Sequence, residues 1–369
     1  MDDDVAGIVR DLVVLHATDP ATVVLSALAR MATPDPATVE RALCEDRTVL
    51  RMLGMRRTLF TVPVELAPVV QASSTLAVAA NQRRLLEALL VEHEVASPAD
   101  VWLRRLERKV LKAVGEMGEA TAQELSARIP DMAVQLVVNQ GKAYAGKIGL
   151  SSKVLLVLGA DGHLVRGRPV GRWTNGQHRW VRTDDWLGAP IEILDPAAAR
   201  VELVRRWLER FGPGTVADLK WWTGWTLGAT RAAVAALDTV LVDLAGEPGL
   251  VLAGDEEPVA APEPWVALLP GLDATAMGWT TRGWYLPEEH RAQVMDRSGN
   301  IGPTIWVDGR VVGGWAQRKD GRVVTLLLEA VGRAQSRAVT DAAERLQEQL
   351  GDTRVTPRFP APLDRTLSG

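Results

Sequence analysis

Apolar residues recur along this chain in three successive rounds of helix, helix, helix and hairpin. The clearest round runs from Val101 to Arg182. Trp102, Leu103, Leu106, Val110 and Val114 fall three and four apart, as on a helix with one buried face. Thr121-Ala122-Gln123-Glu124 reads as a capping box opening a second helix through Arg128. Ser151-Ser152 caps a third, predicted over Lys153 to Ala160 and stopped at Asp161-Gly162. The strands His163–Arg166 and Arg179–Arg182 then pair as a hairpin. Three helices and a hairpin in that order make a winged helix-turn-helix.

The other two rounds keep the order. In the first, Ile8, Val9, Leu12, Val13 and Leu15 predict helix one. Asp19-Pro20 and Asp35-Pro36 start the next two, an Asx cap with proline at N1. Val49–Leu53 and Thr58–Val62 make the hairpin across Gly54-Met55-Arg56-Arg57. In the last round, helix one is Val201 to Phe211, and Thr215-Val216-Ala217-Asp218 caps the second. Thr230 to Leu237 is the third helix, and Val240–Val242 pairs with Leu250–Leu252. Beyond Pro262 the periodicity shortens to strands at 266–269, 304–307, 310–313 and 323–328, closed by an amphipathic helix from Ser336 to Leu350. The expected class is α+β, with tandem winged-helix modules and a C-terminal twisted sheet or partial barrel. The expected domains are 1–97, 98–190 (basic), 191–262 and 263–369, with a poorly ordered proline-rich tail from Pro357.

Composition narrows the function classes. A single cysteine, Cys44, excludes an intrachain disulfide, and no Cys/His cluster points to zinc. No metal or cofactor enters the expectation. Met1-Asp2-Asp3-Asp4 is acidic where a signal peptide is basic, and Leu66 to Gln82 is broken by polar residues, so the expected location is cytoplasmic, at the nucleoid. The net charge is −4, yet residues 101–182 carry 14 Lys and Arg against 6 Asp and Glu, a local +8. Arg166, Arg168, Arg172 and Arg179 fall on or beside the second wing, with Arg182 at its end, where a phosphate backbone would lie. Double-stranded DNA is therefore the expected partner. The 13 tryptophans are expected to fill cores rather than to form sites individually.

Five short motifs then occur in one order: Leu15-His16-Ala17-Thr18-Asp19-Pro20, Met55-Arg56-Arg57-Thr58-Leu59, Asp218-Leu219-Lys220-Trp221-Trp222-Thr223-Gly224, Leu268–Asp273 and Val307–Trp315. This series resembles the AlkZ/YcaQ-type bacterial DNA glycosylases over nearly the whole chain. The resemblance implies tandem winged helices, a C-terminal β-domain, and excision of bulky N7-alkylpurines, including adducts and crosslinks left by genotoxic natural products. Members with that activity carry Gln-x-Gln or Gln-x-Asp where this chain has His16 and Thr18. Many relatives also end the second motif with histidine where this chain has Phe60.

His16 and Thr18 are thus the candidate catalytic pair. Two residues apart in an extended turn, their side chains project to one side and can share a water. A neutral His16 would accept its proton, and the Thr18 hydroxyl would fix it. Alternatively His16 ends a helix and Thr18 is an ordinary turn residue. Asp19 is better read as an N-cap. Asp273 and Arg56 are candidates to line the same cleft. The enzyme expectation is a monomer acting on one damaged base. A non-catalytic winged-helix regulator or lesion sensor is the alternative, and a regulator would dimerise to match a palindrome, which gel filtration separates.

Overall fold

A computed structural model describes residues 3–138 and 146–369. Met1 and Asp2 of the acidic start, and Lys142 of the basic segment, lie outside the described residues. The first round forms α1 (Val5–Asp11), β1 (Leu15–His16), α2 (Pro20–Leu28), α3 (Pro36–Cys44), β2 (Val49–Leu53) and β3 (Leu59–Pro63). The Asx caps act as expected, Asp19 and Asp35 each accepting the amide two residues on at 3.0 Å. Helix one is shorter than its periodicity predicts. It stops at Leu12, Val13 turns to φ +61°, and His16 lies in a strand rather than at a helix end. The β-branched Val14 favours extended chain, and β1 satisfies its backbone by pairing with β3.

A connector follows, α4 (Ala67–Val70), a π-helical turn (Gln71–Thr75) and α5 (Leu76–Glu92). The second round is α6 (Ala99–Met117), α7 (Ala122–Arg128), β4 (Gln135–Val138), β5 (Gly146–Gly149), α8 (Leu150–Ala160), β6 (Leu164–Pro169) and β7 (His178–Arg182). Its capping box is complete: the Glu124 amide donates to the Thr121 hydroxyl at 3.2 Å, and Glu124 accepts the Thr121 amide at 2.7 Å. The antiparallel pair β4–β5 enters between the second and third helices, where no strand is predicted.

After α9 (Thr183–Leu187), the third round gives α10 (Pro196–Phe211), α11 (Val216–Thr223), α12 (Leu227–Ala235), β8 (Thr239–Leu244) and β9 (Glu247–Leu252). The C-terminal part holds β10 (Val266–Leu269), α13 (Glu288–Val294), β11 (Thr304–Val307), β12 (Arg310–Gln317), β13 (Val323–Leu327), α14 (Arg333–Leu350) and α15 (Pro362–Ser368). Its four strands lie in sequence order in an open sheet rather than a barrel. The tail is ordered. Asp364 accepts the Ala361 amide at 2.8 Å, and Leu363 and Leu367 are buried against the sheet, Leu363 beside Gly314. Two buried leucines and a side-chain cap supply what composition alone does not show.

The modules share cores. The wings of the first two rounds join into one five-stranded sheet, ordered β1-β3-β2-β6-β7. Across it, Leu15, Thr61, Arg51, Arg166 and Trp180 are consecutive register partners and share one face. The neighbouring row His16, Phe60 and Met52 points to the other face.

Candidate functional site

His16 reaches the site because β1 is an edge strand whose other face is apolar. Its ring tilts against Phe60 at 4.9 Å between centroids, and only 7% of the residue is exposed. Neither Nδ1 nor Nε2 finds a hydrogen-bond partner, nor does the Thr18 hydroxyl or the Arg56 Nε. Buried polar atoms are almost always paired, so these four orphans, three on the β1–α2 segment and one on the β2–β3 turn, make this a candidate site. Burial, and then the charge of Arg56, pull the His16 pKa down to about 3. The imidazole is therefore neutral at physiological pH. Asp19 is not a free base: Oδ1 caps α2, and Oδ2 accepts the Arg358 amide at 2.9 Å.

Arg56 sits on the β2–β3 turn with φ +54°, and Arg57 follows at +56°. Two consecutive non-glycine residues in this region cost about 1 kcal/mol or more each, strain that clusters at functional sites. The Arg56 guanidinium stacks on Trp221 of α11 at 4.4 Å, and Arg282 approaches the same ring at 5.1 Å. Burial, and then Arg282, lower the Arg56 pKa to about 10, so it stays charged. Gly224 caps α11 at φ +73°, where a Cβ would lie 2.8 Å from Arg56 Cγ. Gly224→Ala should therefore displace Arg56, costing about 1–2 kcal/mol of stability from the left-handed backbone alone and weakening DNA binding. Thermal melts and duplex titrations check both. Trp225 donates to Ser74 of the π-helical turn at 3.0 Å, bracing the same junction.

The remaining predicted residues disperse. Arg57 is exposed, and its charge acts on half-buried Lys153 of α8. Burial first, and then Arg57, lower the Lys153 pKa. Arg168 bridges Glu45 at 3.3 Å, and Arg179 bridges Glu119 at 2.7 Å and Glu124 at 3.2 Å. Arg172 is exposed beside the Asp352 carbonyl, and Arg166 is half-buried over Trp180 at 4.6 Å. The second wing is thus tied to carboxylates and to the first module's sheet rather than projecting as a free cationic arm. Asp273 does not join His16. It is fully buried, receiving Arg30 at 2.8 Å, Ser26 at 2.7 Å and the Thr275 amide at 3.0 Å, which bolts α2 to the β-domain.

Trp221, Arg282, Arg57 and Lys153 are the site residues that sequence reasoning did not single out. The sequence carried a signal only for Trp221 and Arg57, through their places in the Asp218–Gly224 and Met55–Leu59 motifs. Among the described residues no cluster of three or more His, Cys, Asp or Glu could hold a metal ion, and no helix is long and apolar enough to cross a membrane.

The comparisons decide the family. The model of the family described as DNA glycosylase AlkZ-like matches residues 9–349. This chain belongs to the AlkZ-like family. An interstrand DNA cross-link repair glycosylase of Streptomyces sahachiroi is 29% identical over 185 residues, 47% of this chain and 48% of that protein. The chain thus spans about half the length of the curated relative it matches. The solved structure of S. sahachiroi DNA glycosylase AlkZ superposes with TM-score 0.73 at 22% identity, over 98% of this chain and 94% of that one, which establishes the tandem winged-helix fold.

His16 also leaves a thermodynamic signature. Its folded pKa of about 3 lies below the ordinary histidine value of 6.5, so between those values the unfolded chain binds more protons. Stability contributed by neutral His16 is present above pH 6.5 and lost as pH falls towards 3. Wild type should lose about 1 kcal/mol more per pH unit than His16→Gln between pH 6 and 4. Equal slopes in denaturant titrations would mean that His16 titrates normally.

Proposed function

We propose that this protein is a DNA glycosylase that excises N7-alkylated purines, bulky adducts included, from double-stranded DNA, acting as a monomer on one damaged base. The observation carrying this reading is the set of unpartnered polar atoms on His16, Thr18 and Arg56, the first two being the residues that the sequence resemblance matches to the family's polar pair. An N7-alkylpurine is cationic, so its C1′–N9 bond breaks with the electron pair neutralising the base. An oxocarbenium-like sugar is left behind. Water then adds to C1′ and releases one proton. Because the sugar is already electron-poor, that water needs orientation more than deprotonation. Neutral imidazole offers one donor and one acceptor, as a glutamine amide does, so His16 keeps the hydrogen-bonding character of the residue it replaces. The Thr18 hydroxyl holds the same water. Arg56, charged and stacked on Trp221, grips a phosphate beside the lesion, and Arg57 and Lys153 extend that grip.

A non-catalytic lesion binder is the second reading, favoured by the deep burial of His16. Duplexes carrying a single N7-methylguanine or a bulky N7-alkylguanine separate the two. Abasic sites after incubation support the enzyme. Tight adduct binding without abasic sites, in wild type and in a His16→Gln, Thr18→Gln variant alike, supports the binder.

A further inference from the structure

A second group of polar atoms without partners lies on the opposite face of the five-stranded sheet from His16, where the first two wings join. Arg51 of β2 is only 3% exposed, yet its Nε has no hydrogen-bond partner, and among the described residues its guanidinium makes no ion pair. Its register partner on one side is Thr61, buried with an unpartnered hydroxyl. On the other side is Arg166 of β6, half-buried and stacked on Trp180, also without an ion pair among the described residues. Partners in register share a face, so the two guanidinia and the hydroxyl stand side by side. His178 precedes Trp180 by two on β7 and so faces the same way, and its Nδ1 is unpartnered as well.

Charge confirms the proximity. Burial, and then Arg51 and Arg166, pull the His178 pKa to about 3, and burial followed by Arg51 takes Arg166 to about 10. The carboxylates nearest this group are engaged or distant. Glu45 pairs with Arg168 at the rim, and Glu40 acts on Arg51 only at Coulombic range. A buried charge without a partner costs several kcal/mol, and like charges side by side add to it. Sheets do not assemble such a group merely for packing.

We propose that Arg51, Thr61, Arg166 and His178 form a binding site for a tetrahedral oxyanion of the phosphate class at the joint between the first two modules. Two guanidinia supply forked donors, the threonine hydroxyl a third contact, and the imidazole takes up a proton to become a further donor. The site is separate from the His16 cleft, so it stands whether or not the glycosylase reading does. Its ligand is either a backbone phosphate of duplex DNA or a free phosphate ion that locks the wings together.

Thermal melts of the full chain in chloride buffer, with and without inorganic phosphate at tens of millimolar, test the site together with duplex titrations over a salt series. Phosphate should raise the melting temperature of wild type by a few degrees, and Arg51→Met should abolish the shift. Arg166→Met is the second variant, in case one substitution perturbs folding. Removing an unpaired buried cation should itself leave the chloride-form melting temperature unchanged or higher. If both variants also bind duplex more weakly, with a salt slope lower by about one, the ligand is the DNA backbone, whether or not free phosphate shifts the melt. A phosphate shift with duplex binding unchanged identifies a free anion. No shift in wild type and unchanged duplex binding in both variants overturn the proposal.

Discussion

His16→Ala should lower excision of N7-alkylguanine by about two to three orders of magnitude while leaving affinity for the lesion duplex within a few-fold. The range follows from the role. A general base is worth about two to four orders of magnitude, and a residue that orients water by hydrogen bonds sits in the lower part of that span. A pKa near 3 makes His16 a weak proton acceptor, and the oxocarbenium-like character of the sugar is what makes a weak one sufficient. Thr18→Ala should cost about tenfold, the worth of one hydrogen bond near 1–1.5 kcal/mol. The pH profile is the discriminating measurement. With its folded pKa depressed, His16 stays neutral from pH 8 down to pH 5, so single-turnover rates should show no inflection near 6.5. A loss of activity through that region would mean that His16 titrates with an ordinary pKa and acts as a conventional base. His16→Gln should retain most of the wild-type rate because it restores a neutral donor and acceptor.

Arg30→Ala should destabilise the protein by about 3–5 kcal/mol, the usual loss when one partner of a buried ion pair is removed. Asp273 is fully buried, and Arg30 supplies two of its contacts, at 2.8 and 3.0 Å. Burial alone would raise the carboxyl's pKa, but Arg30, Ser26 and the Thr275 amide hold it below its ordinary value. A depressed carboxylate stabilises the fold above its unfolded pKa and loses that contribution as pH falls through its folded one. The Arg30→Ala penalty should therefore shrink in acid, where the orphaned carboxyl takes a proton. Asp273→Asn on the Arg30→Ala background should recover much of the loss, since an amide is far cheaper to bury than a charge. Denaturant titrations of the three variants at pH 7 and pH 4.5 measure both effects. A penalty below 1 kcal/mol, independent of pH, would show that α2 is held to the β-domain by apolar contacts alone.

The division between what is legible in the chain and what is not follows the range of the interactions. The helix starts at Asp19, Asp35, Thr121 and Thr215 are read directly from sequence because a cap is a contact among residues two or three apart. The hairpins turning at Asp308-Gly309 and in the third wing, and the helix predicted from Ser336 and found from Arg333, are equally local. The end of α1 is not legible in the chain because the apolar run Leu12–Leu15 suits a helix and a strand alike, and only pairing with β3 chooses between them. The ordered tail was hidden for the same reason: α15 is held by Leu363 and Leu367 against the sheet and by nothing in its own composition.

The site divides the same way. The motif order marks His16, Thr18 and Arg56, and the period of two turns His16 and Thr18 to one side, away from Ala17. Sequence did not show that Trp221 and Arg282 close on Arg56, since their meeting depends on how the third module and the β-domain pack against the first. Nor did it show that Asp273 belongs to Arg30, or that Arg168 and Arg179 of the second wing pair with Glu45, Glu119 and Glu124. A count of charge, such as the local +8, records how many cations a segment holds. Which of them meet a carboxylate, and which remain buried without one as Arg51 does, is decided only when strands distant in sequence come into register. Electrostatic energy depends on distance and burial, and neither is a property of the sequence alone.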